Sequence, residues 1–171
     1  MKPYRLTSTF LILTLVLVGF VSCKETSKTE MVKKEMTSEE LEKLSKQDTI
    51  TILLNSNDKM QFDKSEITAF EGQTVILTLK HTGTMPVTAM GHNFVLISKG
   101  VSVSEFAKIA IKAKENDYIP RDLKHVIAHT DLIGGGDSTT VIFKVPAKGT
   151  YDFLCSFPGH SAIMKGKFNV K

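Results

Sequence analysis

Near the C-terminal end, Cys155-Ser-Phe-Pro-Gly-His160-Ser-Ala-Ile-Met164 places a thiol, an imidazole and a thioether within ten residues. Sulfur donors combined with imidazole select copper. A set of two histidines, one cysteine and a distant axial methionine suits one-electron chemistry at that metal. The segment therefore calls for a second histidine from elsewhere. Fully extended, it would span roughly 33 Å, so its donors converge only if the chain doubles back. Pro158-Gly159 supplies the reversal, because proline presets φ at the second position of a tight turn and glycine accepts the positive φ of the third.

Each donor is weak evidence alone: a single cysteine at a strand end is usually a small buried hydrophobe, and a single methionine is usually packing. Together, at spacings of five and four residues around a turn, Cys155, His160 and Met164 read as a metal site. His92 is the natural second imidazole, since it opens an apolar stretch, His92 to Ile97, after Gly91, where backbone can come close. His81, His125 and His129 have no cysteine at short spacing and read as surface or hydrogen-bonded residues, with burial near the site as the alternative for His81. Cysteine as a nucleophile with His160 as its base is another reading of the same pair. It lacks an evident third group to orient the base.

The elements that must position these residues follow from Asp48 onward. Short runs rich in Ile, Val, Thr and Phe recur between turn residues, the pattern of an all-β sandwich. Expected strands are Thr49 to Leu54, Lys59 to Phe62, Glu66 to Phe70, Thr74 to His81, His92 to Ile97, a stretch within His125 to Asp131, Thr139 to Val145, Thr150 to Cys155 and Lys165 to Lys171. Thr82 to Gly91 reads as a loop. Phe106, Ile109, Ala110 and Ala113 follow helical spacing within Ser102 to Glu115, with Ser102 and Glu105 as a capping box, so one helix interrupts the strand series. Gly134-Gly-Gly136 reads as a turn, because no helix-forming stretch follows it.

Before Asp48 the chain has two further parts. Lys2 and Arg5 precede an apolar run, Phe10 to Val21, shorter than the about 20 residues of a spanning helix, and 1–22 therefore reads as a cleaved signal peptide. Phe20-Val21-Ser22-Cys23 resembles a bacterial lipobox, which makes Cys23 the lipidated first residue of the mature chain; an ordinary secretory leader is the alternative. Residues 23–47 are a charged linker with intermixed Lys and Glu. Thr37-Ser-Glu-Glu40 is a capping box followed by Leu41 and Leu44, but two leucines cannot offset ordering entropy, and the linker is expected to be disordered with transient helix.

Composition narrows the function. The net charge is +4, and loss of Lys2 and Arg5 with the leader leaves +2, dispersed among mixed charges, which excludes a nucleic-acid surface. The chain has two cysteines. If Cys23 carries lipid, Cys155 has no disulfide partner in an exported protein, so it is buried, reactive or metal-bound.

Three segments together carry a family resemblance: Met90-Gly-His-Asn-Phe-Val-Leu96, Val126-Ile-Ala-His-Thr130 and Cys155 to Gly166. They closely resemble the corresponding segments of azurins, small blue-copper proteins of the cupredoxin family, and the likeness covers roughly Thr49 to Lys171. The resemblance implies an eight-stranded Greek-key sandwich with the helical insertion outside it, one type 1 copper, and electron transfer rather than catalysis. Carried over residue by residue, it implies His92, Cys155 and His160 as ligands in a plane, Met164 and the Gly91 carbonyl as distant axial groups, and backbone N–H groups of Asn93 and Phe157 directed at the thiolate.

Two departures stand out. Azurins carry a structural disulfide for which this chain has no cysteines, and the buried tryptophan of many azurins appears as Phe94. The partners implied are exported redox proteins such as c-type cytochromes or periplasmic reductases and oxidases. Met60, Met85, Met90, Phe157 and Pro158 form the expected docking patch around the outer edge of His160, although such residues also serve simply to pack the loop. The location implied is the periplasmic side of a bacterial membrane, lipid-anchored, with a soluble periplasmic form as the alternative. Copper storage or delivery and a redox-silent zinc site remain alternatives that use the same donors.

Overall fold

Alternation along the chain decides which face of each strand is buried. In β4 (Thr74–His81), Val75, Leu77, Leu79 and His81 are buried while the residues between them are not. The computed structural model describes residues 36–171; the leader, Cys23 and the first part of the linker lie outside the described residues. Besides β4, the strands are β1 (Thr49–Asn57), β2 (Gln61–Phe62), β3 (Glu66–Ala69), β5 (Val95–Ile97), β6 (Val126–His129), β7 (Ser138–Lys144), β8 (Gly149–Leu154) and β9 (Lys165–Val170). They form two sheets, in the orders β2-β1-β4-β7 and β3-β9-β8-β5-β6. β1 runs parallel to β4 and β3 parallel to β9, while the remaining pairs are antiparallel.

The all-β sandwich expected from the sequence is present. It has nine strands among the described residues, the number read along the chain, rather than the eight that the resemblance implies, because the two-residue β2 pairs with the end of β1. Between the sheets lies an aromatic core. Phe94 is fully buried, with its ring centroid 5.4 Å from Phe153 and 6.4 Å from Phe143, and Phe143 lies 5.9 Å from Phe168.

β5 is buried on both faces. Leu96 joins the inter-sheet core, while Val95 and Ile97 pack with Leu154 under α3 (Val103–Ala110), whose Phe106 and Ala110 face them. The helical insertion thus seals the outer face of the second sheet. Its expected capping box does not form: Ser102 makes no side-chain cap hydrogen bond, because its Oγ pairs with Oγ of Ser104 at 2.9 Å.

Two segments differ from expectation in ways that matter at the ends of the sandwich. α1 (Ser38–Ser45) is formed where a disordered linker was expected. The local signal was correctly placed: Thr37 and Glu40 make a reciprocal capping box. What the linker's own residues did not reveal is the tertiary contact, in which Leu44 packs on the core and Nε2 of Gln73 donates to the carbonyls of Leu44 at 2.8 Å and Gln47 at 2.6 Å. At the other end, one helical turn, α2 (Val87–Met90), sits in the segment read as a loop. Among the described residues, no helix is long and apolar enough to cross a membrane.

Candidate metal centre

Cys155 follows directly on β8, and its loop closes on itself. The N–H of Cys155 donates to the carbonyl of Met164 at 3.0 Å, and the N–H of Met164 donates to the carbonyl of His160 at 2.8 Å. Between them, the N–H of His160 donates to the carbonyl of Phe157 at 3.0 Å, with Gly159 at φ 84° and ψ −20°. Those angles at the third position are those of a type II turn, which glycine accepts without strain. His160 is thereby brought back until its Nδ1 stands 3.6 Å from Sγ of Cys155.

His92 reaches the same region from the facing side. It does not open β5, which starts at Val95; instead an isolated antiparallel bridge fixes it, with N–H to carbonyl bonds of 2.9 Å in both directions to Ile133. Its ring centroid lies 5.2 Å from that of His160. The carbonyl of Gly91 accepts from Sγ of Cys155 at 3.7 Å. Glycine is needed there: a Cβ would lie 2.6 Å from the carbonyl oxygen of Val87 and 2.9 Å from the ring of Phe157. Met164 is completely buried and belongs to the inter-sheet core.

These groups fit a metal ion. Both ring nitrogens of His92 are buried without a hydrogen-bond partner, an arrangement that costs free energy unless something else engages them. Two donors about 2.0–2.3 Å from one ion at trigonal or tetrahedral angles stand roughly 3.4–3.7 Å apart, and the Cys155–His160 separation of 3.6 Å matches. The described residues hold no group of three or more His, Cys, Asp or Glu that already forms a ligand cage. The fit therefore rests on the orphaned His92 nitrogens, the sulfur-to-nitrogen distance and the softness of the donors.

Electrostatics prepare the same set. Burial pushes the His92 imidazole down to about 3, with repulsion from His81 and His160 adding to it. Burial likewise lowers His160, with His81 contributing, so both rings are neutral and offer lone pairs. The Cys155 thiol is pushed up to about 12 by burial, against the opposing pull of the backbone N–H groups of Asn93 and Phe157. Those N–H groups favour the thiolate once its proton has gone.

The surroundings add residues that sequence reasoning did not single out. His81 is buried, as in the alternative held for it, with its ring 4.2 Å from that of His92. Its Nε2 is 3.2 Å from Oδ1 of Asp58, misaligned for a hydrogen bond. The buried Asn93 side chain clamps the two donor segments: its Oδ1 accepts from the N–H of Ser156 at 2.9 Å, and its Nδ2 donates to Oγ of Ser156 at 2.9 Å and to the carbonyl of Asp117 at 3.2 Å. Strand alternation puts His81 in phase with buried Val75, Leu77 and Leu79, but it carries no signal for the Asn93 contacts. His125 and His129 are half-buried, and Nδ1 of His129 is 3.2 Å from the carbonyl of Thr130. Met60, Met90, Phe157 and Pro158 are half-buried and Met85 is exposed; exposed Val87 is a further apolar side chain in the same segment as Met85.

Comparison with known proteins finds relatives along the whole sandwich. The model of copper binding proteins of the plastocyanin/azurin family covers residues 48–171. Azurin of Alcaligenes faecalis is 43% identical over 124 residues, covering 70% of this chain and 96% of that protein. Outer membrane protein H.8 of Neisseria gonorrhoeae is 43% identical over 121 residues, covering 68% of this chain; the match spans 65% of that relative's length. Among solved structures, auracyanin of Roseiflexus castenholzii is 39% identical with a TM-score of 0.65, covering 71% of this chain and 96% of that one. Auracyanin A of Chloroflexus aurantiacus, a blue copper protein, is 32% identical with a TM-score of 0.66, covering 72% and 99%. A sandwich whose end gathers neutral imidazoles beside a buried thiol, matched along 48–171, belongs to the plastocyanin/azurin family of copper-binding proteins, with one type 1 copper as its cofactor.

Proposed function

We propose that the protein carries single electrons between exported redox proteins, with its copper held by His92, Cys155 and His160 and, more distantly, by Met164 and the Gly91 carbonyl. The observation that carries this assignment is the buried pair of unpartnered His92 nitrogens beside a thiol 3.6 Å from Nδ1 of His160. Copper bound there supplies a one-electron couple between Cu(II) and Cu(I). One electron enters from a donor and one leaves to an acceptor, and no bond in either partner is made or broken. The chain's own part is to fix the donors and exclude water. The turn at Pro158-Gly159 and the Asn93 clamp hold the imidazole and sulfur in place, and the N–H groups of Asn93 and Phe157 stabilise negative charge on the sulfur.

A nucleophilic role for Cys155 is disfavoured by its complete burial and by a thiol pushed up to about 12, since the thiolate is the reactive form. Docking is assigned to the apolar patch of Met60, Met85, Met90, Phe157 and Pro158, beside which His160 keeps 3% of its surface exposed. Redox encounters bury less than about 1,200 Å² and release quickly. Partners of this kind are c-type cytochromes or periplasmic reductases and oxidases. Residues 1–22 are assigned as the signal peptide, 23–47 as the linker and 48–171 as the copper domain. The similarity to outer membrane protein H.8 supports a place at a bacterial membrane, on its periplasmic side; attachment there through lipidated Cys23 rests on the lipobox-like Phe20-Val21-Ser22-Cys23.

Titration of the purified protein with Cu(II) tests the site. An intense blue thiolate-to-copper band that Cys155→Ser abolishes is the expected result; a colourless product rules out the electron-carrier assignment. The mass of the mature protein, with and without Cys23→Ala, tests the anchor.

A further inference from the structure

The helical insertion does more than cover a sheet. After α3 and a short 3-10 turn at Lys114–Asn116, the chain passes through Asp117 at φ 51° and Tyr118 at φ 61°. Two consecutive non-glycine residues in the left-handed region are unusual, and an aromatic residue there is more so. Such a conformation persists only when its surroundings impose it. Here they do: the Asp117 carbonyl accepts from Nδ2 of buried Asn93 at 3.2 Å, and the N–H of Tyr118 donates to the carbonyl of Ala113 at 2.9 Å. Nδ2 of Asn116 donates to the carbonyl of Ile119 at 2.7 Å, and the Ile119 side chain is sunk in the core beneath α3.

This backbone delivers one side chain to one place. The ring of half-buried Tyr118 meets that of Phe157 edge-on, with centroids 5.3 Å apart and planes at 71°, and Phe157 in turn lies 4.7 Å from the His160 ring at 45°. Edge-to-face pairs of this kind hold ring orientation as well as burying area. Phe157 also carries a backbone N–H that acts on the Cys155 sulfur. Its neighbour Ser156 is tied to the same Asn93 that holds Asp117.

We infer that Tyr118 is a positioning residue of the redox centre: it clamps the Phe157 ring against His160 and so fixes, before any partner arrives, the imidazole that lies beside the docking patch. The inference rests on the electron-carrier reading for its functional consequence, while the clamp itself is made only by rings of this chain. A site already in its working geometry needs little rearrangement when the electron moves, and loosening one wall of it slows transfer.

The test uses the full chain and two variants. Tyr118→Phe keeps the ring, and Tyr118→Asn removes it while retaining a residue that tolerates the left-handed backbone. In the metal-free protein, the Phe157 ring-flip rate is measured by NMR; in the copper-loaded protein, the electron self-exchange rate is measured. Tyr118→Asn is expected to speed ring flipping and to slow self-exchange roughly three- to tenfold, while Tyr118→Phe matches the natural protein on both. Unchanged ring flipping and self-exchange in Tyr118→Asn overturn the inference, and so does a Tyr118→Phe variant that behaves like Tyr118→Asn. A natural protein that stays colourless with Cu(II) overturns the electron-carrier reading instead, and the metal-free ring-flip comparison still decides whether the clamp exists.

Discussion

Sγ of Cys155 and Nδ1 of His160 stand 3.6 Å apart across a closed loop, and the two groups have opposite protonation habits. Burial keeps the imidazole neutral and the thiol protonated. Copper loading at neutral pH therefore has a single proton to displace, the one on Cys155, because neither His92 nor His160 carries one to lose. Titration in unbuffered solution is expected to release about one proton per copper, and apparent affinity should climb about tenfold per pH unit above neutrality. Release of no proton would mean that the sulfur is not a ligand.

Without metal, the same groups set a stability plateau. Unfolded, His92 takes up a proton near 6.5, but folded it does so only at about 3. Between those values the unfolded chain binds more protons, so stability is complete above about 6.5 and falls as pH drops toward 3. His160 acts in the same direction. Cys155 works from the other side: its thiol ionises near 9 when unfolded and at about 12 when folded. Its contribution is complete below 9 and is lost as pH rises toward 12. Urea midpoints of the metal-free protein should thus be flat from about pH 7 to 9 and decline on both sides; a midpoint that holds constant down to pH 4 contradicts the burial of a neutral His92.

Asp58 holds the exposed apolar segment and stands beside buried His81. Its carboxylate accepts from the N–H of Thr84 at 2.9 Å and of Met85 at 3.2 Å, and these bonds, the Thr84 one foremost, hold it below the usual carboxylate range. Asp58→Ala removes both acceptors and should free the Thr84 and Met85 amides to exchange about tenfold faster or more. Asp58→Asn, which keeps one acceptor oxygen, should restore part of the protection. Hydrogen exchange resolved at these two amides checks the pair; protection retained in Asp58→Ala would show that the segment is held by α2 alone.

The contrast between what could and could not be read in advance follows the range of each interaction. Val75, Leu77 and Leu79 announce β4 because alternation is local, and Pro158-Gly159 announces its turn because the required φ values belong to those two residues. Thr37 and Glu40 likewise announce a helix start. What makes α1 persist is Gln73, 29 residues beyond Leu44, and nothing near Leu44 points to it. The burial of His81 follows from its phase with Leu77 and Leu79, but its contact with His92 is hidden for the same reason, since the two rings meet only after β4 has paired in the sheet. Ser102 failed as a cap although its spacing to Glu105 was right, because a nearer hydroxyl, that of Ser104, competed for it. Asn93 was expected to contribute its backbone; its side chain, which ties Ser156 to Asp117, had no signature at all.

Gln73 is the strongest single test of whether α1 belongs to the folded unit. It is buried, 4% exposed, and its amide is fully used: Oε1 accepts from the N–H of Phe70 at 2.8 Å while Nε2 donates to Leu44 and Gln47. Three net hydrogen bonds at about 1 kcal/mol each are of the same order as the roughly 2–5 kcal/mol lost with a native disulfide in a small domain, the staple this chain lacks. Gln73 immediately precedes β4, and the ring of His81 at the far end of that strand lies 4.2 Å from that of His92, so the two features are a strand length apart. Gln73→Ala should therefore expose the α1 amides to rapid exchange and lower global stability by about 1–3 kcal/mol, while leaving the blue band and its copper affinity unchanged. Leu44→Ala should expose the same amides at a smaller global cost, because Leu44 is only partly buried. If α1 stays protected in both variants, the capping box alone holds it. If the blue band shifts in Gln73→Ala, the two ends of β4 are coupled, and the metal centre depends on how the chain enters the sandwich.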